Sequence, residues 1–84
     1  MIPVRSSQHL RRLLAHLRET NGMTRRTLAE RLFVTPKTVA SRERGEHGWD
    51  TDSVIDVAHM FGYDLILMPK RPPYRRYTGT GWPA

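Results

Sequence analysis

The stretch LAERLFVTPKTVASRERG, residues 28–45, decides how this chain folds. It reads as a helix that stops near Phe33 and a second that starts a few residues on, at Thr35-Pro36. Threonine is a good N-cap because its hydroxyl accepts a backbone N–H that the helix leaves free. Proline suits the first helical position, where an N–H would have no partner anyway. The second helix is unusually polar. Val39 and Ala40 are apolar, but one turn on from Val39, where a buried helix wants another apolar residue, stands Arg42. A helix with so little to bury is built to face something other than a core.

Two short helices joined by a tight turn, the second polar and basic, describe a helix-turn-helix. In that motif the second helix lies in the major groove of DNA, and the first packs behind it and crosses the phosphates.

The rest of the chain reads outward from this pair. Ser6 or Ser7 can cap an earlier helix running to about Thr20, with Leu10, Leu13, Leu14 and Leu17 at i, i+3, i+4 and i+7. Asn21-Gly22 ends it, glycine supplying the left-handed residue. Thr24 caps the second helix, through Leu32, with Leu28, Ala29 and Leu32 inward. Thr35 caps the third, and Gly45 ends it. Thr51 is expected to cap a fourth, in which Val54, Val57, Ala58 and Phe61 repeat the spacing and Gly62 is the stop. Leu65 to Met68 is a short apolar run ended by Pro69, which predicts a strand. The fold class expected is therefore all-α: four helices, a short C-terminal β-strand, and a basic tail. Residues 1–69 would form the domain, and residues 70–84, rich in Pro, Tyr, Gly and Arg, a flexible tail.

Composition narrows the partners. The chain has 84 residues, 14 Lys+Arg against 8 Asp+Glu, a net charge of +6 and a pI near 10.8. A small basic domain suits a polyanion. Every basic residue lies within 5–44 or 70–76, and every charged residue between Gly45 and Pro69 is acidic, so the domain should be polarised. There are no cysteines, which removes disulfides and thiolate metal sites and fits a reducing cytosol. The opening MIPVRSSQHL lacks the apolar core of a signal peptide, and no run spans a membrane. We expect a cytoplasmic protein.

Residues 23–45, MTRRTLAERLFVTPKTVASRERG, resemble the lambda-repressor-like (XRE or Cro type) helix-turn-helix family. That family's pattern runs Leu-Thr-Gln, Leu-Ala, Gly-Val-Ser, a Thr-Ile pair and Glu-Arg-Gly. Met23-Thr24, Leu28-Ala29, Leu32, Val34-Thr35, Thr38-Val39 and Glu43-Arg44-Gly45 match it. With the flanking helices the resemblance covers roughly residues 7–68. It implies a bacterial or phage transcriptional regulator, most often a repressor, binding double-stranded DNA. It also implies that Ala29 sits where the two helices cross.

Carried over by position, the resemblance makes Pro36, Lys37 and Ser41 the base readers, with Ala40 close by. Lys37 can donate to guanine, Ser41 can donate or accept, and Pro36 and Ala40 can offer apolar contact to a thymine methyl. Thr24, Arg25, Thr35 and Arg44 would meet phosphates.

Three positions depart from the family's pattern. Arg25 replaces the usual Gln, keeping a phosphate contact possible and losing the amide. Phe33 replaces the turn glycine: either it takes a positive φ at a cost of ~1 kcal/mol or more, or the turn is rebuilt. Arg42 replaces an apolar residue. Its stem can cover the core while its head reaches a phosphate or an acid.

Other chemistries find little support. His9 and His16 are two helical turns apart, too far to share a zinc ion, and no Cys/His spacing suggests a metal site. No catalytic arrangement or cofactor motif stands out. Trp49 is expected to pack over the loop between the third and fourth helices. A lone strand needs a partner, so Leu65, Ile66, Leu67 and Met68 are expected to form a homodimer interface through residues 64–69. The alternative is that these residues pack back on their own helices. The tail sequence PPYRRY could serve as an arm on DNA or hold a protein partner. On that second reading the chain is a protein-interaction module, such as an antitoxin or a phage protein that captures a host factor.

Overall fold

In the computed structural model, residues 1–68 are described. The expected tail and Pro69 lie outside them. Four helices follow in order: α1 Ser7–Thr20, α2 Arg25–Leu32, α3 Pro36–Arg44 and α4 Thr51–Met60. α3 packs against both α2 and α1, and α1 also meets α4.

Each helix starts on an oxygen-bearing side chain. The hydroxyls of Ser6, Thr24 and Thr35 accept the N–H of His9, Thr27 and Thr38. α4 corrects the sequence reading. Its cap is Asp50, whose carboxylate accepts the Ser53 N–H at 3.0 Å, and Thr51 is the first helical residue. A carboxylate does this better than a hydroxyl because its charge also meets the positive end of the helix dipole. Correspondingly, these Ser53 hydrogen bonds hold the Asp50 carboxyl below the usual carboxylate range.

All four helices end in the same way. After each, one N–H reaches back three residues and the next reaches back five. The pairs are Gly22 to Glu19 and Met23 to Arg18, Phe33 to Glu30 and Val34 to Ala29, Gly45 to Arg42 and Glu46 to Ser41, and Gly62 to His59 and Tyr63 to Ala58. This is the Schellman closure, which needs a left-handed residue at its corner. Three corners are glycine: Gly22 (φ 68°), Gly45 (φ 83°) and Gly62 (φ 85°). The fourth is Phe33, at φ 58° and ψ 40°. The turn is not rebuilt; phenylalanine takes the conformation that glycine would. At Gly45 a side chain would be strained and would also collide with the Arg11 guanidinium, which lies against it.

The core is Leu14, Leu28, Ala29, Val39, Val54 and Val57, flanked by half-buried Leu10, Met23, Leu32, Val34, Trp49, Met60 and Phe61. Ala29 is fully buried, so any larger side chain there would force the packed elements apart. Leu10, Leu14 and Leu17 of the α1 stripe and Val54, Val57 and Ala58 of the α4 stripe turn inward as their spacing requires, while Leu13 is only half-buried.

Leu65–Met68 do not form the expected strand within the chain. Residues 63–68 are irregular, because a single domain of helices offers no ladder for their N–H and C=O groups to join. Neither do they pack back on the helices. Leu65, Ile66, Leu67 and Met68 are 49%, 64%, 92% and 59% exposed.

Replacing Phe33 by glycine should raise stability by about 0.5–1 kcal/mol, the relief of left-handed strain less the entropy glycine adds to the unfolded chain. A thermal melt of the variant should shift upward by roughly 2–8 °C for a domain of this size. A lower melting temperature would mean that the ring supports the fold in a way its exposure does not suggest.

Candidate nucleic-acid interface

The α2–turn–α3 unit is locked from behind by one carboxylate. Glu43, on α3, has only 3% of its side chain exposed. It accepts from Arg18 of α1 through both oxygens, Nε at 2.7 Å and Nη2 at 3.1 Å. It accepts also from Arg25 Nε of α2 at 2.8 Å. Arg18 spends its remaining nitrogen on the Met23 carbonyl at 2.9 Å, tying in the loop before α2. Three helices therefore meet on one acid. Burial pushes the Glu43 carboxyl upward, but the hydrogen bonds and charges of Arg18 and Arg25 together outweigh it and hold the group below its ordinary range.

A second knot, on the neighbouring residue, holds the same C-terminal end of α3 to the next helix. The Arg42 head turns to an acid, not to solvent. Its Nη2 lies 3.1 Å from Asp50 Oδ1, its Nη1 3.4 Å from Ser53 Oγ, and its guanidinium sits 5.3 Å from the Trp49 ring centroid. Asp50 thus caps α4 with one oxygen and receives Arg42 on the other. Arg42 stands at an apolar position because it ties α3 to the start of α4.

With its back held, α3 presents its N-terminal half outward. Thr35, Pro36 and Lys37 are exposed and Ala40 is half-buried. Thr35 Oγ1 also lies 2.9 Å from Thr38 Oγ1, and Thr24 donates to Thr27 Oγ1 at 3.0 Å, so both capping hydroxyls are already engaged. Among the described residues Lys37, Arg26 and Arg31 have no acidic partner. Arg25 gives one N–H to Glu43 yet keeps 45% of its side chain exposed, leaving its other donors available. Arg44 is exposed but paired with Glu46 at 3.0 and 3.2 Å, a pair that lowers the Glu46 carboxyl and raises the Arg44 guanidinium.

Ser41 is placed differently from its neighbours. It is only 7% exposed, and its carbonyl accepts the Glu46 N–H at 2.9 Å as part of the α3 closure. It lines an open groove of about 520 Å³ with Thr35, Lys37, Thr38, Arg42, His47 and Gly48. The groove brings Lys37 and Ser41 together and adds His47 and Gly48 from the loop after α3. The sequence reading did not place these two at the site. Their only signal was adjacency to the Gly45 stop, which folds the loop back along α3. Thr24, Arg25 and Arg44 are not among the groove's lining residues.

Among the described residues no group of three His, Cys, Asp or Glu is placed to hold a metal, and no helix is long and apolar enough to cross a membrane. No family model, curated protein or solved structure matches the chain.

Because Glu43 is depressed in the folded state, the stability it contributes is present above its unfolded pKa, about 4.3. That contribution is lost as pH falls through the lower folded value. Denaturant melts at pH 7, 4 and 3 should show the wild type weakening below about pH 4.3. Glu43→Gln should cost about 3 kcal/mol at pH 7, leaving Arg18 buried without its counter-charge, and should flatten the acid dependence. Parallel acid curves for the two proteins would remove Glu43 from this role.

Proposed function

We propose that this chain is a sequence-specific DNA-binding transcriptional regulator of the lambda-repressor-like helix-turn-helix type, of bacterial or phage origin. It would act as a repressor by occupying its site and blocking polymerase. One observation carries the reading: α3 is fixed from behind by ion pairs, the innermost on the buried Glu43, while its leading turn, Thr35, Pro36 and Lys37, is exposed beside uncompensated cations. That is the arrangement a helix needs to enter the major groove as a rigid body.

Lys37 is the residue best placed to read a base, a guanine through O6 and N7. Arg25 and Arg26, at the leading turn of α2, supply phosphate contacts. Arg25 is oriented for this by Glu43. Thr24, Thr35 and Arg44 belong to the same backbone-facing set, and Pro36 and Ala40 to the apolar one. The burial of Ser41 limits it to a secondary part.

Selection of duplexes from a random pool, followed by binding isotherms, tests this. Lys37→Ala should cost ~1–3 kcal/mol on the selected site and relax preference at one base pair. Arg26→Ala should weaken all sequences alike and reduce the salt slope by about one phosphate. A pool that yields no enriched sequence would end the reading.

The exposed run Leu65–Met68 favours a protein partner as well, and the one it fits best is a second copy of the chain. Its own helices leave these side chains in water and its backbone unpaired. Two copies related by a two-fold axis would pair the segments as an antiparallel ribbon. Two α3 helices could then meet a near-palindromic site roughly 34 Å apart. A different protein on this segment, such as a toxin held by its antitoxin, is the competing reading. Sedimentation at micromolar concentration should find a dimer, and Leu67→Pro, which removes a ladder donor, should shift it to monomer with helical circular dichroism retained. A wild type that is monomeric at tens of micromolar would exclude the self-pairing.

A further inference from the structure

Phe33 is the residue whose place the fold does not account for. Its side chain is 95% exposed, so it buries nothing. A lone apolar side chain on a surface is ordinary. This one also occupies the only left-handed non-glycine position among the described residues. The molecule supplies its own control, since the same helix closure occurs three more times and glycine stands at each corner. On the fold's terms alone glycine belongs here too. Strain retained where the fold does not need it points to a function.

We propose that Phe33 is a DNA contact, its ring packing on a thymine methyl group at the rim of the groove that α3 enters. The proposal rests on the DNA-binding reading above. Charge chooses the occupant. The exposed charged residues on the last turn of α2 and the first turn of α3 are Glu30, Arg31 and Lys37, two cations and one acid. A surface that meets the ring must also accept those cations. A duplex does so, setting phosphates on either side of an apolar methyl. The reach also fits. Phe33 lies four residues before Lys37 and so at most about 14 Å from it along the backbone. The major groove is about 12 Å wide. With Lys37 in the groove, Phe33 lies within reach of its edge. Phenylalanine is among the side chains that make apolar contact with the thymine methyl.

The test sets stability against affinity. Phe33→Gly and Phe33→Asn remove the ring and suit the left-handed corner. Phe33→Tyr keeps the ring. Each would be bound to the selected duplex and to copies in which single thymines flanking the α3 footprint become uracil, which lacks the methyl. Phe33→Gly and Phe33→Asn should melt no lower than wild type yet bind about tenfold more weakly, a difference of about 1.4 kcal/mol. Phe33→Tyr should bind as wild type does. One uracil substitution should weaken the wild type and leave the Phe33→Gly complex unchanged, the signature of two groups acting on each other. Equal affinity of Phe33→Gly and wild type for the duplex overturns the proposal while leaving DNA binding intact. A wild type that selects no duplex overturns both.

Discussion

Glu43 is the group on which the arrangement depends. A carboxylate with 3% of its side chain exposed is costly to bury, and it is tolerated here because two guanidinium groups from two other helices meet it. The apolar core alone is small: six side chains, two leucines, three valines and one alanine, make up its centre. Such a core fixes the helices in contact but leaves their relative rotation weakly determined, because apolar packing is non-directional. The Arg18–Glu43–Arg25 cluster supplies direction. Arg42 repeats the device one residue earlier on α3, with Asp50 shared between a helix cap and an ion pair. The two knots hold the C-terminal end of α3 and leave its earlier part to the core through Val39.

Most of the fold was legible because its signals are local. Helix starts at Thr24 and Thr35 and stops at Gly22, Gly45 and Gly62 each depend on residues within one turn, and the spacing of leucine and valine on α1 and α4 gave the inward faces. What the sequence could not give was tertiary. Arg42 looked like a misplaced charge until Asp50 and Ser53 were brought to it across the loop. Asp50 lost the capping role to Thr51 in the reading because either residue can start a helix, and only the second use of its carboxylate explains the choice. The strand at Leu65–Met68 was inferred from apolarity alone, and apolarity does not supply a ladder.

The candidate site was legible to a similar extent. The exposure of Thr35, Pro36 and Lys37 follows from their place at the start of a polar helix. Ser41 follows the same logic one turn on, but the loop that returns along α3 covers it, and no local pattern announces that return. Arg25 was read as a phosphate contact and turns out to have a structural duty as well. A guanidinium has five donors, and one given to Glu43 leaves the remainder at a fixed angle. Arg44 is the opposite case: its fork is matched by Glu46 and its positive charge is locally offset.

The junction between α2 and α3 has one residue to spare. Phe33 closes the first helix, Thr35 opens the second, and Val34 between them is anchored to the core. With no slack in the connection and ion pairs at its back, α3 cannot swing on its own. Whatever it docks against meets a surface whose order was established during folding. The entropy otherwise lost in arranging a recognition element on contact is then small, and association is governed by long-range charge and rigid-body encounter.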